Sequence, residues 1–232
     1  MGFFMGYAVY LKVDQTSYDQ FIAIQNELNA GTTKKMAHEL GDVLASVSIQ
    51  VIQQVFIDLL EQQKRRLTRP EGYKVAEDSE KVIQHVLSAF KKYLPWAVAF
   101  FGNERLLPMV NYFATCIVKE EENIFVRYDV DEVIVQSALD AIERVLAGDK
   151  SSIPQAFSQL TKMIDTGVDA LIRKPKAMLK FNFVVDKTLN GVIQVSTSMA
   201  YKRLEGLGHE VQLESAPYYI DHFLKFLKKM NS

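Results

Sequence analysis

Val82-Ile83-Gln84, then Ser88-Ala89-Phe90-Lys91-Lys92, is read a second time as Val192-Ile193-Gln194, then Ser198, Ala200, Tyr201, Lys202 and Arg203, with one extra residue in the second copy. Working outward, Pro108 through Asn111-Tyr112-Phe113 to Lys119 returns as Pro217 through Asp221-His222-Phe223 to Lys229. Upstream, Val9-Tyr10-Leu11 leading to Ala30-Gly31 returns as Val126-Arg127-Tyr128 leading to Ala147-Gly148. The matches fall in the same order along both halves. The reading is an internal duplication of a helical unit. It predicts a mainly α protein, a helical bundle of two tandem units of four to five helices, residues 1–121 and 122–232, packed as one globular body.

Composition narrows the class. Of 232 residues, 48% are hydrophobic and 24% charged, which is enough for a substantial core. The formal net charge is -1, without the basic excess of a nucleic-acid binder, so no nucleic-acid partner is expected. A lone cysteine, Cys116, has no partner for an internal disulfide. The apolar start, residues 1–13, lacks the preceding basic residues and following cleavage site of a signal peptide. Gly6 stands where a myristoylation signal needs Ser or Thr. The longest apolar stretch, residues 43–60, is broken by Gln50, Gln53, Gln54 and Asp58, so no transmembrane segment is expected and the cytoplasm is the default location.

Residues 7–13 alternate and are rich in aromatic and β-branched side chains, and residues 124–130 share that character at the matching place. They either pair across a pseudo-two-fold axis as a two-stranded ribbon or serve as extended lead-ins to helices. Ser17 followed by Gln20 reads as a capping box, and Gly31 ends the helix it starts. Asp131 and Gly148 bracket the counterpart. Residues 33–66 contain no Pro and a single Gly, a helix of about 50 Å. Two apolar stripes, one through Leu40, Leu44, Val47 and Val51, the other through Ile49, Ile52, Phe56 and Leu60, make it a central helix wrapped by others. Its counterpart starts near Ser152 and ends before Pro175. Matched helices over 78–93 and 177–204 follow, then a very apolar segment at 94–107 whose counterpart at 205–216 is polar. The final helices start at Pro108 and Pro217, and residues 119–123 read as the junction.

Catalytic signatures are sparse. No nucleophile elbow, Gly-rich phosphate loop or Cys-x-x-Cys occurs. None of His38, His85, His209 and His222 has a Glu three residues before it, as a di-iron bundle requires. Glu205 with His209 offers two metal ligands at most. No metal ligand set, cofactor or catalytic residue is assigned, and the balance leans away from an enzyme. Cys116 matches Phe226, so it reads as a small packing residue in an apolar helix. Gln84 and Ser88, with Gln194 and Ser198, recur on one helix face as a candidate polar seam; a plain solvent face is the competing reading. Lys64, Arg65, Arg66 and Arg69 form a basic cluster that suits a helix end or an acidic partner. Trp96, Phe100 and Phe101 stand where the second copy is polar, and an exposed patch there marks a partner or subunit contact. The C-terminal helix, residues 218–230, has an apolar face suited to packing or to an anionic membrane surface.

Three functions follow. The leading one is a non-enzymatic interaction or regulatory protein that meets a protein partner or itself through helix surfaces, with Trp96, Phe100, Phe101, Arg66 and Arg69 as the contact. The alternative is a binder of an apolar small molecule, lipid-like or aromatic, in a cavity between the long helices. The third is an enzyme with an asymmetric polar site.

Overall fold

Asp14 and Asp131 open the two halves in the same way. Each follows a strand, and each carboxylate accepts a backbone N–H of the next helix's first turn, from Ser17 at 2.6 Å and from Val133 at 2.8 Å. The capping group is therefore Asp14, one turn before the expected capping box. The computed structural model describes residues 6–66 and 70–230. In the first half, strand β1 (Tyr7–Val13) leads to α1 (Gln15–Asn29), α2 (Ala37–Ile52), α3 (Asp58–Arg66), α4 (Pro70–Val98), α5 (Asn103–Thr115) and β2 (Ile117–Glu120). In the second, β3 (Asn123–Val130) leads to α6 (Glu132–Leu146), α7 (Ile153–Val168), α8 (Lys174–Leu179), α9 (Phe183–Glu210), α10 (Ala216–Leu224) and β4 (Leu227–Lys229). The same order of elements thus runs twice. Gly31 and Gly148, at φ 74° and 99°, supply the left-handed turn after α1 and α6.

The architecture is mainly α with one small antiparallel sheet of four strands, ordered β2-β3-β1-β4. The expected ribbon is its centre: Tyr7 faces Val130, and Val13 faces Ile124. Tyr10 faces Arg127, its own match in the sequence repeat. The outer strands are additions to the reading. Ile117 and Val118 belong to β2, so Cys116 ends helix α5 and does not sit inside it. Residues 225–230 are not helical as expected; α10 stops at Leu224 and β4 follows. The apolar face of α10 (Tyr219, Ile220 and Phe223) is buried in the core, which is the packing alternative for this helix and not the membrane-lying one. The junction at 119–123 is the hairpin turn between β2 and β3, with Glu121 at φ 54°.

Each outer strand is held the same way. The Arg127 N–H donates to the Cys116 carbonyl at 2.7 Å, and the Tyr10 N–H donates to the Phe226 carbonyl at 2.8 Å. Because β1 lies between β3 and β4, strands of the two halves interleave. β4 covers only Tyr7–Val9 of β1, so the backbone of Lys12 would be an unpaired edge. The Gln54 side chain fills it: its Oε1 accepts the Lys12 N–H at 2.9 Å, and its Nε2 donates to the Lys12 carbonyl at 2.5 Å.

Both long helices carry one π turn, Gln53–Ile57 between α2 and α3 and Asp169–Arg173 between α7 and α8. A π turn displaces a backbone carbonyl from the regular ladder. Here each turn has a carbonyl taken up by a side chain from the opposite half. Tyr112 Oη donates to the Ala170 carbonyl at 2.8 Å, and His222 Nε2 lies 3.1 Å from the Val55 carbonyl. Tyr112 and His222 are matched positions in the sequence repeat. The second long helix does not end before Pro175, as expected; it continues from the π turn through Pro175 into α8, and Pro175 has no N–H to offer the carbonyls of the preceding turn. Likewise α4 runs through Pro95 to Val98.

Ala37–Glu61 is, among the described residues, the one helix long and apolar enough to cross a membrane. It packs against α4, β1 and α1, with a third of its apolar window buried. Gly41 lets it approach closely: a Cβ there would come within 2.7 Å of Pro95 Cα.

Candidate ligand cavity

The double apolar stripe of α2 faces more than filled core. Between α2, α4, α7, α8 and α9, with β1 and β3 as the floor, lies a cavity of about 290 Å³. Val51, Phe90, Leu94, Ile164, Leu171 and Leu189 represent its wall, drawn from both halves. Both π turns reach it, through Val55 and Phe56 on one side and Leu171 and Ile172 on the other. The volume is close to the lower end of small-molecule sites, ~300–1,000 Å³. It is about twice the ~150 Å³ of an apolar cavity that stays dry and takes up benzene.

Most polar side chains in the wall are already paired. Ser48 donates to the Leu44 carbonyl at 2.8 Å, and Thr197 to the Ile193 carbonyl at 2.8 Å. Ser17 bonds Asp14 and Gln50. Tyr201 Oη donates to Asp165 at 2.7 Å, and that same oxygen pairs with Arg173 at 2.7 Å. Burial and the bond to Asp165 push the Tyr201 phenol well above its ordinary pKa. Lys176 pairs with Asp186. Among the described residues, one buried side-chain oxygen is left without a hydrogen-bond partner, Ser196 Oγ. Ser196 lines the cavity and is 5% exposed.

Ser196 is absent from the sequence reading. It was legible as the one polar member of a helical stripe, Leu189, Ile193, Ser196, Ala200 and Leu204, of which Leu189, Ser196 and Leu204 are buried and the other two half-buried. The neighbouring polar seam is not assembled: Gln84, Ser88 and Gln194 are exposed, Ser198 is half-buried, and no hydrogen bond joins them. Trp96 and Phe100 are 37% and 52% exposed, and their rings stack edge to face at 4.9 Å. Phe101, expected with them on the surface, is buried, 8% exposed. Its ring meets Phe181 at 4.8 Å because the chain turns between α4 and α5 and carries it inward. The side chain of Arg66 and the whole of Arg69 lie outside the described residues.

Cys116 also lines the cavity; burial pushes its thiol pKa up, against nucleophilic use. His222 is buried, with Nδ1 at 3.2 Å from Lys225 Nζ. Glu205 and His209 are exposed on α9. Among the described residues no three His, Cys, Asp or Glu side chains gather as a metal site requires. The arrangement offers apolar volume, one buried hydroxyl without a partner among the described residues, and a wall shared by both halves. No family model, curated protein or solved structure matches the chain.

Proposed function

We propose that the protein binds an apolar small molecule carrying one hydrogen-bonding group, held in the cavity between the long helices. The observation that carries this reading is the coincidence of an apolar cavity of about 290 Å³ with the unpartnered Ser196 hydroxyl in its wall. A buried polar group without a partner costs roughly 1–3 kcal/mol. A ligand hydroxyl or carbonyl opposite Ser196 removes that cost, while the apolar wall takes the rest of the ligand out of water. The leading expectation from sequence, an interaction protein, draws support only from the exposed Trp96 and Phe100.

Native mass spectrometry of the protein purified from its own host tests the reading. The expected result is a retained small mass, released by organic solvent. Val51→Phe provides the control, because Val51 lines the cavity and the larger ring fills it. That variant should fold and carry no ligand. A wild-type protein that is bare and also fails to take up apolar fluorescent probes would overturn the proposal.

A further inference from the structure

Seven large apolar side chains are exposed among the described residues, and four of them, Trp96, Phe100, Phe183 and Val184, lie at one end of the molecule. Phe183 and Val184 are the most open of the four, at 79% and 71%. The shared location follows from packing. Ala97 of α4 is buried against Val185 and Leu189 of α9, with Tyr93 and Phe181 packed beside them. The residues before and after these contacts therefore emerge together where α4 ends and α9 begins.

The same end is basic. Lys91, Lys92, Lys180 and Lys187 are exposed around the four apolar side chains. Arg105 is tethered there by donating to the Leu179 and Lys180 carbonyls at 2.6 and 2.8 Å. The facing acids are Asp186, paired with Lys176, Glu104 in the first turn of α5, and, beside Gly41 where α2 meets Pro95, Glu39 and Asp42, which pair with Lys34 and His38. The end is also continuous with the cavity. Tyr93, Ala97, Phe181 and Leu189 belong both to the cluster under the patch and to the cavity wall.

We propose that this end docks on an anionic lipid bilayer, and that the apolar ligand passes between bilayer and cavity beneath it. The chemistry matches one occupant. Exposed Trp and Phe with a ring of lysines is the composition of an interfacial anchor, in which rings enter the headgroup boundary and cations meet anionic lipid. A protein partner would find the apolar residues, yet the excess of flexible lysines is depleted in protein contacts. The inference rests on the cavity reading for its ligand; the docking surface itself stands on the patch.

Trp96 is the one tryptophan of the chain, so its emission reports the patch directly. Full-length protein is mixed with phosphatidylcholine vesicles with and without phosphatidylserine. The expected result is co-flotation and a blue shift of Trp96 emission with the anionic vesicles, both suppressed by salt. Lys91→Glu with Lys92→Glu should weaken binding by more than about tenfold, since each cation near an anionic surface is worth about a factor of five. Phe183→Ser with Val184→Ser should abolish the shift while leaving the helical circular dichroism unchanged. Val51→Phe, with its cavity filled, should still bind vesicles. Wild-type protein that takes up an apolar probe from solution yet ignores anionic vesicles overturns docking and leaves the cavity reading standing. A dimer whose Trp96 emission is already blue and unresponsive to lipid also overturns it. Vesicle binding together with a permanently empty wild-type cavity sinks the ligand reading alone.

Discussion

Ser196 and His222 are both buried polar residues on long-range seams, and their energetics differ in sign. Ser196 keeps a hydroxyl with no partner, so its removal relieves the ligand-free protein. Ser196→Ala should raise the stability of emptied protein by about 1 kcal/mol and weaken ligand retention. Urea titration and native mass spectrometry check the two halves of that statement. A loss of stability in the emptied protein would mean that the hydroxyl serves packing and not a ligand. His222, in contrast, is satisfied as a neutral ring: Nε2–H donates to Val55, and Nδ1 faces the Lys225 ammonium. Burial first, and Lys225 second, depress its pKa below 6.5. Above about pH 6.5 the ring is neutral in both folded and unfolded chains, and folding pays no proton penalty. As pH falls below that value, the unfolded chain takes up a proton that the folded chain resists. Stability therefore drops on acidification until the folded ring also protonates. Denaturation midpoints between about pH 7.5 and 5 should show this fall. His222→Tyr, which installs the residue found at matched position 112, should flatten it.

Helix contacts give opposite outcomes for one and the same substitution. Gly41→Ala gains up to ~1 kcal/mol of helix propensity. The added Cβ, however, meets Pro95 Cα at 2.7 Å, a backbone atom that cannot swing away. Overpacking of this kind costs roughly 1–3 kcal/mol, so the variant should be less stable. Gly191 lies exposed in α9 with nothing within 4 Å of its missing Cβ. Gly191→Ala should stabilise by roughly 0.5–1 kcal/mol. Thermal melts of the two variants side by side decide the matter, and equal signs would show that propensity and not the α2–α4 crossing dominates. The same scale explains what the sequence revealed. Helical spacing in residues 33–66 marked α2 and α3 as central because apolar periodicity is a direct record of burial. β2 and β4 stayed hidden because three or four residues after a helix carry no period of their own. Gln50 and Gln54 read as breaks in an apolar stripe, yet they bond Asp14 and Lys12 of the first half's opening strand and cap. The cavity between the long helices was legible only as the alternative function, for a related reason. A stripe shows which face avoids water, not whether side chains from facing helices meet.

At the scale of the whole molecule, the two halves cannot be separated by cutting the chain. β1 has β3 and β4 as its only neighbours in the sheet, and both belong to the second half. The π turn of each half is bonded by a side chain of the other, Tyr112 to Ala170 and His222 to Val55. The cavity wall likewise alternates between halves. The repeated element order, the matched caps and the reciprocal π-turn bonds are what descent of both halves from one unit predicts. Superposing residues 7–120 on 123–229 helix for helix tests that descent. The interleaving makes a separate, mechanical prediction. A chain severed between Glu121 and Glu122, in the β2–β3 turn, leaves β1 without its central partner in one fragment and the apolar cavity wall open in both. Fragments 1–121 and 122–232 should each lack cooperative thermal unfolding and associate nonspecifically when expressed alone. Refolded together, they should give one heterodimer with the far-ultraviolet circular dichroism of the intact chain. Its unfolding should depend on protein concentration, because joining the fragments now carries a bimolecular cost that the uncut hairpin removes. A monomeric, cooperatively folding fragment of either half would show that its own helices suffice, and that the shared sheet and reciprocal bonds only align two independent bodies.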